Sequence, residues 1–207
     1  YCVHHLTDTH DVILNMLEEC RKVGHEDRAL MFCSLSKVTF PGAGVAAMAA
    51  SRRNIDYILK NMFPMIISFD KLNQVRHIRF LKDMDGLAAH MEKHRALLEP
   101  KFRAVLAILD EGLSGCGSIA RWTKPNGGYF LSLYTLGGCA KRTVQLCREA
   151  GVVLTDAGAA YPYGVDPQDS NIRIAPTFPP LDELETASRL LCVCVRIATL
   201  EKLLQRQ

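Results

Sequence analysis

Apolar residues follow two different patterns in the first part of the chain. In residues 7–23 they recur about every three or four positions, which predicts an amphipathic helix that stops at Gly24. Residues 28–34 and 45–50 are short, almost unbroken apolar runs, and such runs are typical of strands buried on both faces of a parallel sheet. Residues 51–62 again have a helical pattern. This order of elements indicates part of an α/β layer.

A long helical pattern occupies residues 79–113, beyond a link that starts after Pro64. Pro100 is expected to kink this helix or divide it in two, and a helix of this length would bridge two domains. The rest of the chain alternates between strands and helices, which is typical of a separate α+β module. The strands are expected at 118–122, 129–134, 152–155 and 171–175, and the helices at 141–149 and from Leu181 onward. Four apolar residues share one face of the long helix: Leu98, Phe102, Val105 and Leu109.

The composition of the 207 residues is that of an ordinary globular protein, with 48% hydrophobic and 23% charged residues. The 25 basic and 22 acidic residues are interspersed along the chain, which argues against nucleic acid as a partner. The longest apolar runs are too short to cross a bilayer, and no export signal precedes them. We therefore expect a cytoplasmic protein that does not bind membranes.

The eight cysteines include no CxxC pair, which favours a reducing compartment over a disulfide framework. Cys192 and Cys194 lie in an apolar run and are expected to be small buried hydrophobic residues. His90 and His94 have the spacing of the HExxH zinc motif, but Met91 stands where the catalytic glutamate would be. We expect an ordinary solvated helix face there and no metal site.

Residues 32–45 contain the segment that is most indicative of chemistry. Lys37 follows an apolar run, with Ser34 and Ser36 just before it and Gly42 and Gly44 after it. A lysine that is partly desolvated at a strand end can react with a carbonyl group, because its amine is then neutral often enough. The two hydroxyls are suited to a phosphate group, and glycines allow backbone to approach it. A surface loop of serine and lysine is the alternative interpretation.

This segment resembles the lysine segment of the class I, fold type I, pyridoxal-phosphate aminotransferases. The resemblance continues in residues 71–77 (Lys-Leu-Asn-Gln-Val-Arg-His), in residues 122–130 with their Gly-Gly-Tyr-Phe, and in residues 171–180. Together these segments look like the bacterial-type aspartate aminotransferase subgroup. The resemblance covers essentially the whole chain, in order and at similar spacing.

The resemblance implies an α/β fold: part of the fold type I large domain, followed by an α+β C-terminal small domain. The expected divisions are residues 1–75 for the large domain, 76–113 for an interdomain helix and 114–207 for the small domain. The implied activity is transamination with pyridoxal 5′-phosphate, of aspartate with 2-oxoglutarate, by an enzyme that is a homodimer at full length. The second hypothesis is a ligand-sensing or assembly domain of aminotransferase ancestry that catalyses nothing.

The resemblance also implies roles for individual residues. Lys37 would form the internal aldimine and then move the proton at the substrate α-carbon. Arg173 would bind the substrate α-carboxylate as a bidentate donor, and Tyr1 would hydrogen-bond the cofactor's phenolic oxygen. Ser34 and Ser36 would contact its phosphate. The alternatives are a frayed terminus for Tyr1, a simple strand end for the serines and a structural salt bridge for Arg173.

Two features differ from the family pattern. Many class I enzymes have a basic residue eight positions after the lysine, where this chain has Val45. The family's aspartate, which pairs with the pyridinium nitrogen three residues before the tyrosine, would precede Tyr1. The resemblance therefore implies the C-terminal half of an enzyme, which is expected to bind the cofactor poorly. A third hypothesis is that such a fragment only misfolds, because buried parallel strands without neighbours expose edges and apolar surface. Three further cations, Lys71, Arg76 and Arg79, lie where the family often binds a substrate side-chain carboxylate, although solvated surface charge is the alternative for each.

Overall fold

The structure of the protein, a computed structural model, describes residue 6 and residues 11–205. These residues form two compact units, which divide between Lys93 and His94, with residue 6 assigned to the second. The first unit contains helices α1 (Met16–Lys22), α2 (Arg52–Met62) and α3 (Lys71–Leu81) and strands β1 (Leu30–Ser34) and β2 (Ala46–Ala50). Helix α4 (Met84–Leu113) begins in the first unit and ends in the second.

Strands β1 and β2 pair with each other as an antiparallel hairpin, with Leu30 opposite Ala50 and Ser34 opposite Ala46. The prediction of a parallel sheet is therefore wrong for these two strands. The loop 35–45 between them is shorter than the dozen or so residues that a parallel crossover needs, so the chain simply reverses direction. The prediction that β1 is buried on both faces is also wrong, since all five of its residues are exposed and Phe32 is 67% exposed.

The helices of the first unit begin at side-chain caps. The Ser51 hydroxyl accepts a hydrogen bond from the Asn54 amide at 3.3 Å, and α2 follows, as predicted. The Asn15 side chain caps α1, which starts later than the predicted helix at 7–23, whose residues 7–10 lie outside the described part of the chain. Helix α3 occupies residues predicted as a link, with the Asp70 carboxylate accepting from the Asn73 amide at 2.9 Å.

Helix α4 differs from the helix predicted at 79–113. A break at Lys82, whose φ is +65°, separates it from α3. It is not divided at Pro100, which lies inside a helix that continues to Leu113. Proline removes one hydrogen bond of the helical ladder, but apolar burial on both sides of it compensates for that loss. The four residues expected on one face are indeed all buried: Leu98, Phe102, Val105 and Leu109.

The second unit contains a three-stranded antiparallel sheet in the order β3 (Ala120–Trp122), β4 (Leu131–Thr135) and β5 (Asn171–Ile174). Helices α5 (Ala140–Glu149) and α6 (Leu181–Leu204) complete it. These elements agree with the predicted strands and helices to within a few residues. The strand predicted at 152–155 is wrong, because this segment is not in a ladder and Val153 is 80% exposed.

The apolar core belongs to the second unit. Its buried side chains come from α4, the sheet, α5 and α6, whereas Val38 is the one fully buried apolar residue that the structure describes between residues 11 and 93. Cys192 and Cys194 are buried in this core, as predicted, and burial raises the pKa of the Cys192 thiol to about 11. No described helix has the length and apolar character needed to span a membrane.

Candidate active site

Lys37 lies in a tight turn directly after β1. The Leu35 carbonyl accepts hydrogen bonds from the amides of Val38 and Thr39, both at 2.9 Å, and these bonds form the turn. The Leu35 amide donates to the Val45 carbonyl at 2.8 Å, which closes the loop where β2 begins. The side chain of Lys37 is exposed at the strand end. The turn thus presents the amine at the edge of a two-stranded sheet.

The two serine hydroxyls beside Lys37 are paired with each other. The Oγ atoms of Ser34 and Ser36 are 2.8 Å apart, and the Ser36 amide donates to Ser34 Oγ at 3.2 Å. Gly44 packs against this pair so closely that a Cβ atom on it would lie 2.2 Å from Ser36 Oγ. The loop can therefore return past the serines only with a glycine at this position. The steric requirement is sufficient to explain the glycine.

Helix α3 and the start of α4 hold this loop through polar contacts. The Asn73 side-chain amide donates to the Ala43 carbonyl at 2.7 Å, and His77 Nε2 lies 2.7 Å from Thr39 Oγ1. His90 Nε2 donates to the Val38 carbonyl at 2.7 Å. The prediction that His90 lies on a solvated helix face is wrong, because this bond requires it to face the loop. No cluster of metal-binding side chains occurs in residues 11–205.

Sequence reasoning missed the two α3 residues, although a signal was present. Asn73 and His77 are four residues apart and hence share one face of a helix. Both belong to the run 71–77, where the sequence pattern predicts a link and not a helix. Without a helix there, their common direction could not be recognised.

Arg173 lies on β5 in the second unit and is half-buried. Its guanidinium carbon is 4.7 Å from the centre of the Phe130 ring, a stacking geometry that orients the planar group. Its Nε is buried without a hydrogen-bond partner, and within the described residues no carboxylate pairs with it. The alternative of a structural salt bridge is therefore not what the described residues form.

A carboxylate organises the turn that leads into β5. Buried Asp166 accepts from the amides of Gln168, Ser170 and Asn171 at 2.9, 2.7 and 2.8 Å. Burial opposes ionisation of this group, but the three amides and the Ser170 hydroxyl together hold its pKa below the ordinary value. Because the turn precedes Asn171 directly, Asp166 determines where the strand that carries Arg173 begins.

A lysine holds the loop that follows β5. Lys101 Nζ donates to the carbonyls of Pro179 and Thr177 at 2.6 and 3.0 Å, and it lies 3.5 Å from that of Phe178. Three carbonyl oxygens around one ammonium group fix the path of residues 177–179 from the side of α4. The strand bearing Arg173 is thereby anchored at both ends.

The remaining predicted residues are placed as follows. Tyr1 lies outside the described residues. Lys71, Arg76 and Arg79 are all exposed on α3, and the Arg76 guanidinium carbon is 6.0 Å from the centre of the Phe40 ring. Ser34, Ser36 and Lys37 come together in one turn of the first unit, and Arg173 belongs to the second.

The chain is similar in sequence to a family of known proteins along its whole length. The family model described as aspartate amino-transferase matches residues 1–207. A protein of Mycolicibacterium smegmatis is 47% identical over 204 residues, which are 99% of this chain and 47% of that protein. An aspartate aminotransferase of Corynebacterium glutamicum is 41% identical over 201 residues, which are 97% of this chain and 46% of that enzyme.

The solved structures agree with the sequence comparison. The crystal structure of an aspartate transaminase from C. glutamicum superposes with a TM-score of 0.93 at 40% identity. The match covers 98% of this chain and 47% of that chain. The chain thus spans about half the length of the curated relatives it matches.

Proposed function

Because the chain belongs to the aspartate amino-transferase family, we propose that it is the C-terminal half of a pyridoxal-phosphate-dependent aminotransferase. The observation that supports this proposal best is the turn after β1, where an exposed lysine follows two paired serine hydroxyls. The coverage of about half of each relative is consistent with a half-length chain.

The donor groups of this turn fit the cofactor. Pyridoxal 5′-phosphate has an aldehyde, which an amine such as that of Lys37 attacks, and a phosphate, which the hydroxyls of Ser34 and Ser36 can donate to. Gly44 leaves these hydroxyls uncovered by a side chain of its own. When bound, the cofactor supplies a ring that withdraws electrons from the substrate α-carbon. Val45 adds no charge, so the cation that balances the phosphate is expected elsewhere in the enzyme.

Lys37 is proposed to move the proton at the substrate α-carbon. An amine can do this only while it is neutral, and a proton carrier must be held within hydrogen-bond distance of the atom that it serves. The turn formed by Leu35, Val38 and Thr39 gives the lysine a fixed backbone origin. Its four-carbon side chain has the length to reach a group at the strand end.

Arg173 is proposed to bind the α-carboxylate of the amino acid. A guanidinium donates two parallel hydrogen bonds to a carboxylate, which fixes the orientation of the substrate as well as its position. Phe130 restricts the plane of the guanidinium, and the absence of a carboxylate partner among the described residues leaves its donors available. The amino acid and the 2-oxo acid both carry this carboxylate, so the same arginine would bind each of them in turn.

The proposed substrate pair is aspartate and 2-oxoglutarate, because the C. glutamicum relative is an aspartate aminotransferase. Lys71, Arg76 and Arg79 are candidates for the second carboxylate that both substrates carry, and the proposed functional form is a homodimer. The proposed domains remain residues 1–75, 76–113 and 114–207. The two compact units divide further along, inside α4.

The decisive experiment replaces Lys37 in the full-length protein. Lys37→Ala is expected to abolish the visible absorbance of the lysine-bound cofactor and to lower kcat for transamination by roughly a thousand-fold, because no other group moves the proton. Lys60→Ala is the matched control, since Lys60 is an exposed lysine of the same unit on α2. Absorbance spectra and coupled assays with aspartate and 2-oxoglutarate give the two readouts.

Undiminished transamination by the Lys37→Ala protein would contradict the assignment of the lysine. A wild-type protein that neither absorbs at visible wavelengths with the cofactor nor transaminates would contradict the enzyme itself. That second result would favour the ligand-sensing alternative.

A further inference from the structure

The turn that carries Lys37 is connected to helix α3 through a row of polar groups. Thr39, two residues after the lysine, lies with its Oγ1 3.1 Å from the Leu35 carbonyl and 2.7 Å from His77 Nε2. On the other side of the ring, His77 Nδ1 is 2.9 Å from the carbonyl oxygen of Asn73. Leu35 O, Thr39 Oγ1, His77 and Asn73 O thus lie in one row, each within hydrogen-bonding distance of the next.

The proton positions along this path follow from what each group can do. The Asn73 carbonyl only accepts, so Nδ1 of His77 must carry a hydrogen and donate it. In the neutral ring Nε2 is then an acceptor, and it takes the one hydroxyl hydrogen of Thr39. In the doubly protonated ring Nε2 donates to Thr39 Oγ1, and the hydroxyl donates to Leu35. The imidazole therefore contacts Thr39 in either form, and the hydroxyl donates to the Leu35 carbonyl only when Nε2 carries a hydrogen.

Two neighbouring contacts fix the same loop from the same side. The Asn73 amide donates to the Ala43 carbonyl, and His90 Nε2 donates to the Val38 carbonyl, both at 2.7 Å. Aromatic rings fill the space around the imidazole, with Phe40 edge-on to His77 at a centroid distance of 5.3 Å. Phe80 in turn packs at 5.2 Å from Phe40.

These polar contacts matter because, within the described residues of the first unit, little apolar burial is available to replace them. His77 is only 4% exposed, and Val38 is the one fully buried apolar residue that the structure describes between residues 11 and 93. A loop in a large apolar core keeps its position when one hydrogen bond is lost, because packing still restrains it. Among the described residues, hydrogen bonds therefore supply most of the contacts that restrain the turn.

We propose that His77 is a positioning residue for Lys37: through Thr39 it holds the turn after β1 in the conformation from which the lysine amine works. This inference rests on the proposed function for its catalytic consequence, but the restraint on the turn exists whether or not a cofactor binds. The hydrogen bonds of the His77 ring go to Thr39 and Asn73. It acts on the backbone from which the lysine projects.

The first test measures the restraint itself, in the full-length protein without cofactor. Thr39→Val keeps the shape of the side chain and removes the hydroxyl, and His77→Leu removes both ring nitrogens. Each is expected to raise amide hydrogen exchange in residues 35–45 at least ten-fold, with the β4 amides unchanged. His77→Gln, whose amide reaches the position of Nε2, is expected to stay within about three-fold of wild type.

The second test measures the consequence for catalysis in the cofactor-loaded protein. Thr39→Val and His77→Leu are expected to lower kcat about ten-fold with little change in KM, because substrate contacts remain and only the lysine loses its placement. They are also expected to shift the pH at which the visible absorbance of the bound cofactor changes. The Gln variant recovers most of kcat. His25→Gln, at an exposed histidine of the same unit, is the control.

Wild-type exchange rates in residues 35–45 of both Thr39→Val and His77→Leu would overturn the proposal, and so would an increase in KM alone. If the β4 amides of His77→Leu also exchange faster than in wild type, that variant has unfolded. The exchange rates of Thr39→Val then decide between the two outcomes. Failure of the proposed function is distinguishable, because it would appear as a wild-type protein without transamination while the exchange result stands on its own.

Discussion

At the residue scale, the surroundings of Arg173 suit the carboxylate-binding role proposed for it. Stacking on Phe130 reduces the number of orientations that the guanidinium can adopt. The described part of the chain offers it no carboxylate, so its hydrogen-bonding capacity is available to a ligand. A lysine at this position would keep the charge but lose the planar pair of donors.

We expect Arg173→Lys in the full-length protein to raise KM for the amino acid roughly 10- to 100-fold, because one charge-assisted hydrogen bond is lost. Steady-state kinetics with aspartate as the varied substrate measures this. Arg121→Lys is the matched control: Arg121 also stacks on an aromatic ring, with its guanidinium carbon 3.9 Å from the centre of the Tyr134 ring, and is exposed. Equal increases in KM for the two variants would argue against a specific role for Arg173.

At the element scale, caps and turns decide where the functional strands and helices begin. Ser51, Asp70 and Asn15 each start a helix with a side-chain oxygen, and their residue types could be recognised in the sequence. Helix α3 was nevertheless missed, because its apolar residues are largely exposed and give no clear periodic pattern. The turn at Asp166 is likewise defined by hydrogen bonds to residues that only the folded loop brings together.

Replacing Asp166 tests how strongly this turn stabilises the second unit. Asp166→Ala leaves three amides without an acceptor, those of Ser170 and Asn171 being buried, and is expected to cost about 2 kcal/mol in the free energy of unfolding at pH 7. Asp156→Ala is the control, because Asp156 forms only an exposed ion pair with Arg148 at 3.1 Å and is expected to cost less than about 1 kcal/mol. Urea unfolding followed by circular dichroism measures both.

The stabilisation from Asp166 is expected to depend on pH. Its pKa is lowered in the folded protein from an ordinary value of 3.8, so the folded state holds the carboxylate ionised more readily than the unfolded chain does. The contribution is therefore complete above about pH 4 and is lost as the pH falls through the folded-state pKa. The difference in stability between wild type and Asp166→Ala should accordingly narrow below pH 4. A difference that grows in acid would contradict this assignment.

At the scale of the whole molecule, the two units differ in how they are stabilised. The second has a continuous apolar core, whereas the first exposes many large apolar side chains, such as Phe32, Met65, Ile67 and Leu72. We expect this surface to be covered in the full-length protein. The lysine turn and the arginine strand thus belong to units of very different intrinsic stability.

We expect the 207-residue chain on its own to show this difference in amide hydrogen exchange. Amides of β4 and α6 should be protected, and those of β1 and β2 should exchange within seconds to minutes, because few buried apolar groups oppose their opening. Mass spectrometry of peptides from the two units gives the comparison. Equal protection of β1 and β4 in the chain alone would contradict the expectation. In the full-length protein, β1 and β2 should become protected.

The sequence by itself determined the family, most elements of the second unit and the residues that bear the proposed chemistry. It could do so because apolar periodicity, caps and reactive side chains are local properties. Only the tertiary structure decided that β1 and β2 pair antiparallel and that Pro100 lies inside one continuous helix. It also decided that His77 and His90 hold the lysine turn. These features depend on contacts between residues far apart in the chain, and no local pattern records which partners a buried polar group will find.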